Sequence, residues 1–149
     1  MDKKEARRES RVIATQAFFF YLSREMSVPL KECFDEVLGS VYEKGEDEMA
    51  WNILSLAEEH FQKMKLVVRA FAPDFPFEKI APINRVLLIL GLVEMKYVGT
   101  PPVVVINEYI EVAKSFGEEK SAPFVNGVLD AYRKELKLEG SKKEEVVSE

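Results

Sequence analysis

Five cations crowd the first eleven residues: Lys3, Lys4, Arg7, Arg8 and Arg11 stand against Asp2, Glu5 and Glu9, a net +2. On a helix Lys4, Arg7, Arg8 and Arg11 fall within one arc of about 100°. Thr15, Phe18 and Leu22 continue that stripe, with Phe19 at its edge, while Ile13, Ala17 and Phe20 point elsewhere, toward a core. Cations running into aromatic rings suit single-stranded RNA, because the charges meet phosphates and a ring stacks on a base. The cations also face the positive end of the helix dipole, an opposition of roughly 0.3–1 kcal/mol each when exposed, which bound phosphate would remove. The same pattern fits a solvated helix end. Glu5 and Glu9 then pair with arginines three or four residues away, and Phe18 packs on a neighbouring helix. Charge pattern alone leaves both readings open.

No residue cluster spells catalysis. His60 is the sole histidine, and on an amphipathic helix it reads as a surface or hydrogen-bonded residue. Cys33, the sole cysteine, excludes an internal disulfide framework and fits a reducing cytoplasm. No His/Cys cluster has metal-ligand spacing and no glycine-rich phosphate loop occurs, so no metal, cofactor or enzymatic activity is expected. Glu58 with Glu59, and Glu118 with Glu119, read as solvated charge.

The chain of 149 residues is 47% hydrophobic and 32% charged, a composition that folds and stays in solution. Its net charge of −5 argues against whole-molecule attraction to nucleic acid but leaves room for a local patch. Residues 30–59 carry nine acids against Lys31 and Lys44, a net −7 that would help turn the basic end toward RNA. The charged start lacks the apolar core of a signal peptide. The longest apolar run, 86–93, is far short of the roughly 20 residues of a membrane span, so no membrane partner is expected.

Helical periodicity dominates, and strand alternation is absent apart from ambiguous short runs such as 103–105. The spacing predicts a first helix over 4–23 and a second over 30–42. A third, over 47–71, would be a single rod on the order of 35 Å long. Residues 72–82 hold Pro73, Pro76 and Pro82, with Phe75 and Phe77 between, and form a packed connection between two halves. The fourth helix, 82–98, is apolar on every face over 86–93 and should be buried. The fifth opens on Pro101 and Pro102 and closes at Gly117; the sixth starts at Ser121 with Pro123 inside it. Gly127, in mid-helix at a cost of about 1 kcal/mol against Ala, suggests a close helix crossing, with Asn126 beside it as a hydrogen-bonded amide. The expected fold is all-α, two three-helix halves over 1–73 and 74–138, followed by a charged, mobile tail over 139–149.

These features resemble the bacterial NusB family of transcription antitermination factors. The match covers Ala6-Arg7-Arg8, Arg11, Ala14, Gln16, Ala17 and Phe19, then Arg85, Leu88, Leu92 and Glu94. The most specific block is Ile106-Asn107-Glu108, Ile110-Glu111, Ala113-Lys114-Ser115-Phe116-Gly117, Ser121 and Phe124-Val125-Asn126-Gly127-Val128-Leu129-Asp130. The resemblance implies the same all-α fold and no catalysis. It implies pairing with NusE, a ribosomal protein of the small subunit, and binding of single-stranded boxA RNA within the RNA polymerase antitermination complex of ribosomal RNA operons. By position, Arg7, Arg8 and Arg11 would meet phosphates with help from Lys3 and Lys4, Gln16 and Phe19 would lie near bases, and Lys120, Ser121 and Phe124 would complete the RNA surface. Asn84 and Arg85 would touch NusE. The chain departs from relatives at Glu9, Ile89 and Pro123, each of which subtracts a cation. A helical protein–protein adaptor, or an accessory RNA-binding domain of an RNA-modifying system, are the alternatives.

Overall fold

The computed structural model describes residues 1–116 and 119–148, with side chains as far as Leu138. Among these there is no strand. The helices are α1 (Lys3–Ser23), α2 (Leu30–Val37), α3 (Glu48–Glu59), α4 (Phe61–Phe71), α5 (Pro82–Val93), α6 (Pro102–Phe116) and α7 (Ser121–Ser148). Gly117, expected to close the fifth helix, lies outside the described residues. So do the side chains of 139–149, the expected mobile tail, although the α7 backbone continues through them to Ser148.

Caps place α1 and α3. Asp2 accepts from the Glu5 N–H at 2.8 Å and so starts α1. Asp47 does the same for Ala50 at 3.0 Å. Its carboxylate also accepts from the Ser10 hydroxyl at 2.9 Å, which ties the start of α3 to α1.

The expected single rod over 47–71 is two helices. The backbone turns at His60 (φ −105°, ψ 15°). Its N–H still bonds the Leu56 carbonyl, and its own carbonyl accepts from Met64 to start α4. The His60 ring stacks on Tyr97 with centroids 3.7 Å apart and planes 7° apart, a tertiary contact that apolar periodicity does not register.

Helix α5 is the axis of the molecule. Every residue from Val86 to Val93 is buried, and α1, α3, α4, α6 and α7 all pack on it. The buried side chains of both halves form one cluster, so the halves share a core. Beyond α5 the chain widens into a π-helical turn, Glu94–Val98, which ends at Gly99 in the left-handed region (φ 82°), where glycine carries no Cβ penalty.

The glycine of the close crossing is Gly91, not Gly127. A Cβ on Gly91 would stand 3.0 Å from Leu129 Cδ1 of α7, whereas one on Gly127 would meet nothing within 4 Å. Both Gly127 and Asn126 are exposed, so the packing expectation for that pair does not hold.

Candidate RNA interface

Helices α1 and α6 run side by side in the same direction. Arg8 meets Glu108, and about two to three α1 turns further on Thr15 and Phe19 share a groove with Phe116. Between the two helices lies a cleft of about 610 Å³, walled by Lys4, Arg7, Arg8 and Arg11 on one side and by Asn107, Glu108, Glu111 and Lys114 on the other.

The cations of this cleft are not equivalent. Lys3, Lys4 and Arg7 are exposed and form no ion pair among the described residues. Arg8 is half engaged: its Nε and Nη2 donate to the two oxygens of Glu108 at 2.9 and 3.2 Å, while 43% of its side chain remains exposed. The hydrogen bond and charge of Arg8 hold the Glu108 carboxyl below its ordinary range, against the opposing effect of burial. Glu108 in turn raises the Arg8 guanidinium further.

Arg11 is fully engaged, which corrects the expectation that it meets phosphate. Its side chain is 3% exposed, and it donates twice to Glu94, at 2.8 and 2.9 Å. Desolvation is the largest influence on Arg11 and pulls its pKa down, but the hydrogen bonds and charge of Glu94 more than offset it. Thr100 adds a hydroxyl to Glu94 at 3.0 Å. Neither acid of the first helix pairs with an arginine: Glu9 binds Lys44, and Glu5 has no ion pair among the described residues. The local pairing considered for the helix end is therefore absent.

The aromatic stripe also shifts. Thr15 and Phe18 are buried, with Phe18 edge-on to Phe61 of α4 at 6.1 Å. Phe19 and Phe20 are half-buried instead. With Gln16, Val41, Pro82 and Phe116 they line a separate groove of about 430 Å³ farther along α1. The Gln16 Oε1 accepts from the Tyr42 hydroxyl at 3.1 Å, so the amide is held in place at the edge of the groove.

Ala81 lies between this groove and a third concavity of about 300 Å³, formed by Phe75, Lys79, Asn84, Lys120, Ser121 and Phe124. Lys120 is exposed and Phe124 half-buried, but Ser121 is buried and presents no open surface. Arg85, expected to touch NusE, is half-buried. Its Nε donates to the Ile80 carbonyl at 2.7 Å and its Nη2 to the Glu78 carbonyl, so it clamps the connection before α5. Asn84 is 9% exposed, and its Oδ1 has no hydrogen-bond partner among the described residues.

Sequence reasoning missed Glu108, Lys114, Phe116, Phe75 and Lys79 as parts of the surface. The spacing of Val104, Asn107, Glu108, Glu111 and Lys114 on one face of α6 was a usable signal; the others depend on how the connection folds. Among the described residues no cluster of His, Cys, Asp or Glu could hold a metal ion, and no helix is long and apolar enough to cross a membrane.

Comparison with known proteins bears on the family and the fold. Residues 8–134 match the NusB family model. The transcription antitermination protein NusB of Burkholderia cenocepacia (strain HI2424) is 36% identical over 140 residues, covering 91% of this chain and 92% of that protein. These relatives are named for antitermination and not for a reaction. Among solved structures, NusB of T. maritima superimposes with a TM-score of 0.78 at 28% identity, over 87% of this chain and 91% of the other. A structure of the antitermination factors NusB and NusE in complex with double-stranded RNA shares the fold, with a TM-score of 0.76 at 21% identity over 85% and 95%. The chain therefore belongs to the NusB family.

Proposed function

We propose that this protein is a non-catalytic RNA-binding factor of transcription antitermination that pairs with NusE and takes single-stranded boxA RNA into the groove between α1 and α6. In this reading the pair joins the RNA polymerase antitermination complex and promotes processive transcription of ribosomal RNA operons. One observation carries it: exposed cations without ion pairs wall a cleft between α1 and α6, and half-buried rings line a second groove farther along α1. Lys3, Lys4 and Arg7 take phosphates, and Arg8 joins them when a phosphate replaces Glu108. Phe19, with Gln16 beside it, receives a base, and Lys120 and Phe124 extend the path. Arg11 acts as a tie that holds α1 in register.

The relatives named as antitermination proteins, and the solved NusB–NusE pair that carries RNA, support this reading. The rings favour a single strand, because duplex bases are stacked on one another and out of reach. A helical protein adaptor is the second reading. It is favoured by Arg8 and Arg11 both pairing with carboxylates, which thins the cationic face.

Fluorescence anisotropy with a boxA-like single strand, its scrambled version and its duplex, each with and without NusE, separates the readings. The proposal expects boxA-like RNA to bind best, and more tightly with NusE. NusE binding with no RNA affinity, alone or in the pair, would establish the adaptor instead.

A further inference from the structure

Glu108 stands in the α1–α6 cleft with a single dedicated partner. Its two oxygens accept from Arg8 at 2.9 and 3.2 Å, and only 8% of its side chain is exposed. The other charged groups that face it are Lys4, Arg7 and Arg11 from α1, Glu111 and Lys114 from its own helix, and Glu94 of the π-helical turn, behind Arg11. Burial keeps the neighbouring Tyr109 hydroxyl un-ionised. None of the cations is a ready substitute for Arg8. Arg11 already donates twice to Glu94, and Lys114 pairs with Glu111 at 3.2 Å. Lys4 and Arg7 are exposed and are themselves positioned to meet phosphate. Whatever draws Arg8 away therefore leaves a nearly buried carboxylate without compensation, and such a group is far more stable with a proton on it.

We propose that RNA binding in this cleft is coupled to the uptake of a proton by Glu108, so that the complex tightens as pH falls. The inference rests on the RNA-binding reading above and adds a regulation to that same site. In the free protein the hydrogen bond and charge of Arg8 hold the Glu108 carboxyl below its ordinary range, against the effect of burial. A phosphate that reaches Arg8 either takes its donors or stands beside them as a second anion. In both cases Glu108 loses attraction or gains repulsion, while the desolvation of its charged form remains. The neutral acid is then favoured, and its O–H can donate to a phosphate oxygen. The proton comes from solvent and only the O–H bond forms. Because the complex holds this proton more tightly than the free protein does, RNA affinity rises as pH falls through the higher, RNA-bound pKa and levels off below the lower, free one. Above both values Glu108 makes affinity independent of pH.

The test is the affinity of the full chain with NusE for an oligouridylate ten-mer, measured by anisotropy at fixed salt from pH 7.5 to pH 5, with circular dichroism at each pH to follow the fold. Uracil and the phosphodiester do not titrate in that range. The expected result is binding about fivefold tighter at pH 5 than at pH 7.5. Glu108→Gln mimics the protonated acid, and is expected to bind at every pH about as tightly as the parent does at pH 5. Calorimetry of the unmodified protein in buffers of different ionisation enthalpy counts the protons independently of the variant, and should show net uptake on RNA binding that grows toward low pH. A flat profile with no proton uptake, alongside salt-dependent binding, overturns the linkage and leaves the RNA function standing. A pH dependence that persists in full in Glu108→Gln assigns the proton to another group and overturns the proposal. Absence of any RNA binding overturns both readings.

Discussion

Arg11 and Glu94 face each other through two hydrogen bonds of 2.8 and 2.9 Å, with 3% and 0% of their side chains exposed. The pair joins α1 to the end of α5, and Thr100 fixes the carboxylate from the next turn of chain. An arginine that sequence pattern groups with the RNA-facing cations thus works inside the protein. Removing one partner of such a pair leaves a buried charge without compensation, which costs about 3–5 kcal/mol. Arg11→Ala is therefore expected to destabilise the fold by about that amount in urea unfolding followed by circular dichroism. The contrasting variant, Arg7→Ala, should leave the unfolding midpoint within about 0.5 kcal/mol of the parent.

Glu108 restrains Arg8, and the consequence for RNA runs against simple charge intuition. Glu108→Gln keeps the shape of the side chain and removes the anion that competes with phosphate. It is expected to raise RNA affinity severalfold, measured by anisotropy at fixed salt. Unchanged or weaker binding would mean that Arg8 does not leave its partner for phosphate.

The same pair shapes the acid limb of stability. The folded state holds the Glu108 carboxyl below its ordinary pKa of 4.5. Its contribution to stability is therefore complete above that ordinary value and is lost as pH falls through the lower folded one. Urea midpoints taken between pH 6 and pH 3 should fall less steeply in Glu108→Gln than in the parent. Parallel curves would remove Glu108 from the account of acid sensitivity.

Gly127 separates stability from function. Alanine there meets no neighbour and replaces a poor helix former with the best one, so Gly127→Ala is expected to stabilise by about 1 kcal/mol in thermal unfolding. If RNA passes over this position, the same substitution weakens RNA binding. A stabilised variant with full affinity would show that the glycine serves neither packing nor RNA.

Much of this layout was legible in the sequence, and the misses share a cause. Local signals were read well: Asp47 and Pro82 mark helix starts, and the uniform apolarity of 86–93 marks the buried axis. What failed depended on partners far away in the chain. Arg11 finds Glu94 across 83 residues, and nothing in the first helix announces it. Of the two readings left open for Phe18, packing on a neighbouring helix holds, because Phe61 of α4 meets its ring. The rod over 47–71 breaks at His60, whose ring stacks on Tyr97, 37 residues farther on. Gly91 and Gly127 look alike in sequence, and only the approach of Leu129 tells them apart. The cations Lys3, Lys4 and Arg7 were read correctly as exposed because they lie in the first two turns, where no later element covers them.

The central claim, that exposed cations at the start of α1 bind RNA phosphates, is tested most directly by the salt dependence of RNA binding in Lys4→Ala combined with Arg7→Ala. The account predicts weaker binding, a log–log salt slope shallower by roughly 0.7 for each cation removed, and unchanged helical content. Equal affinity and an equal slope in the variant and the parent would contradict it.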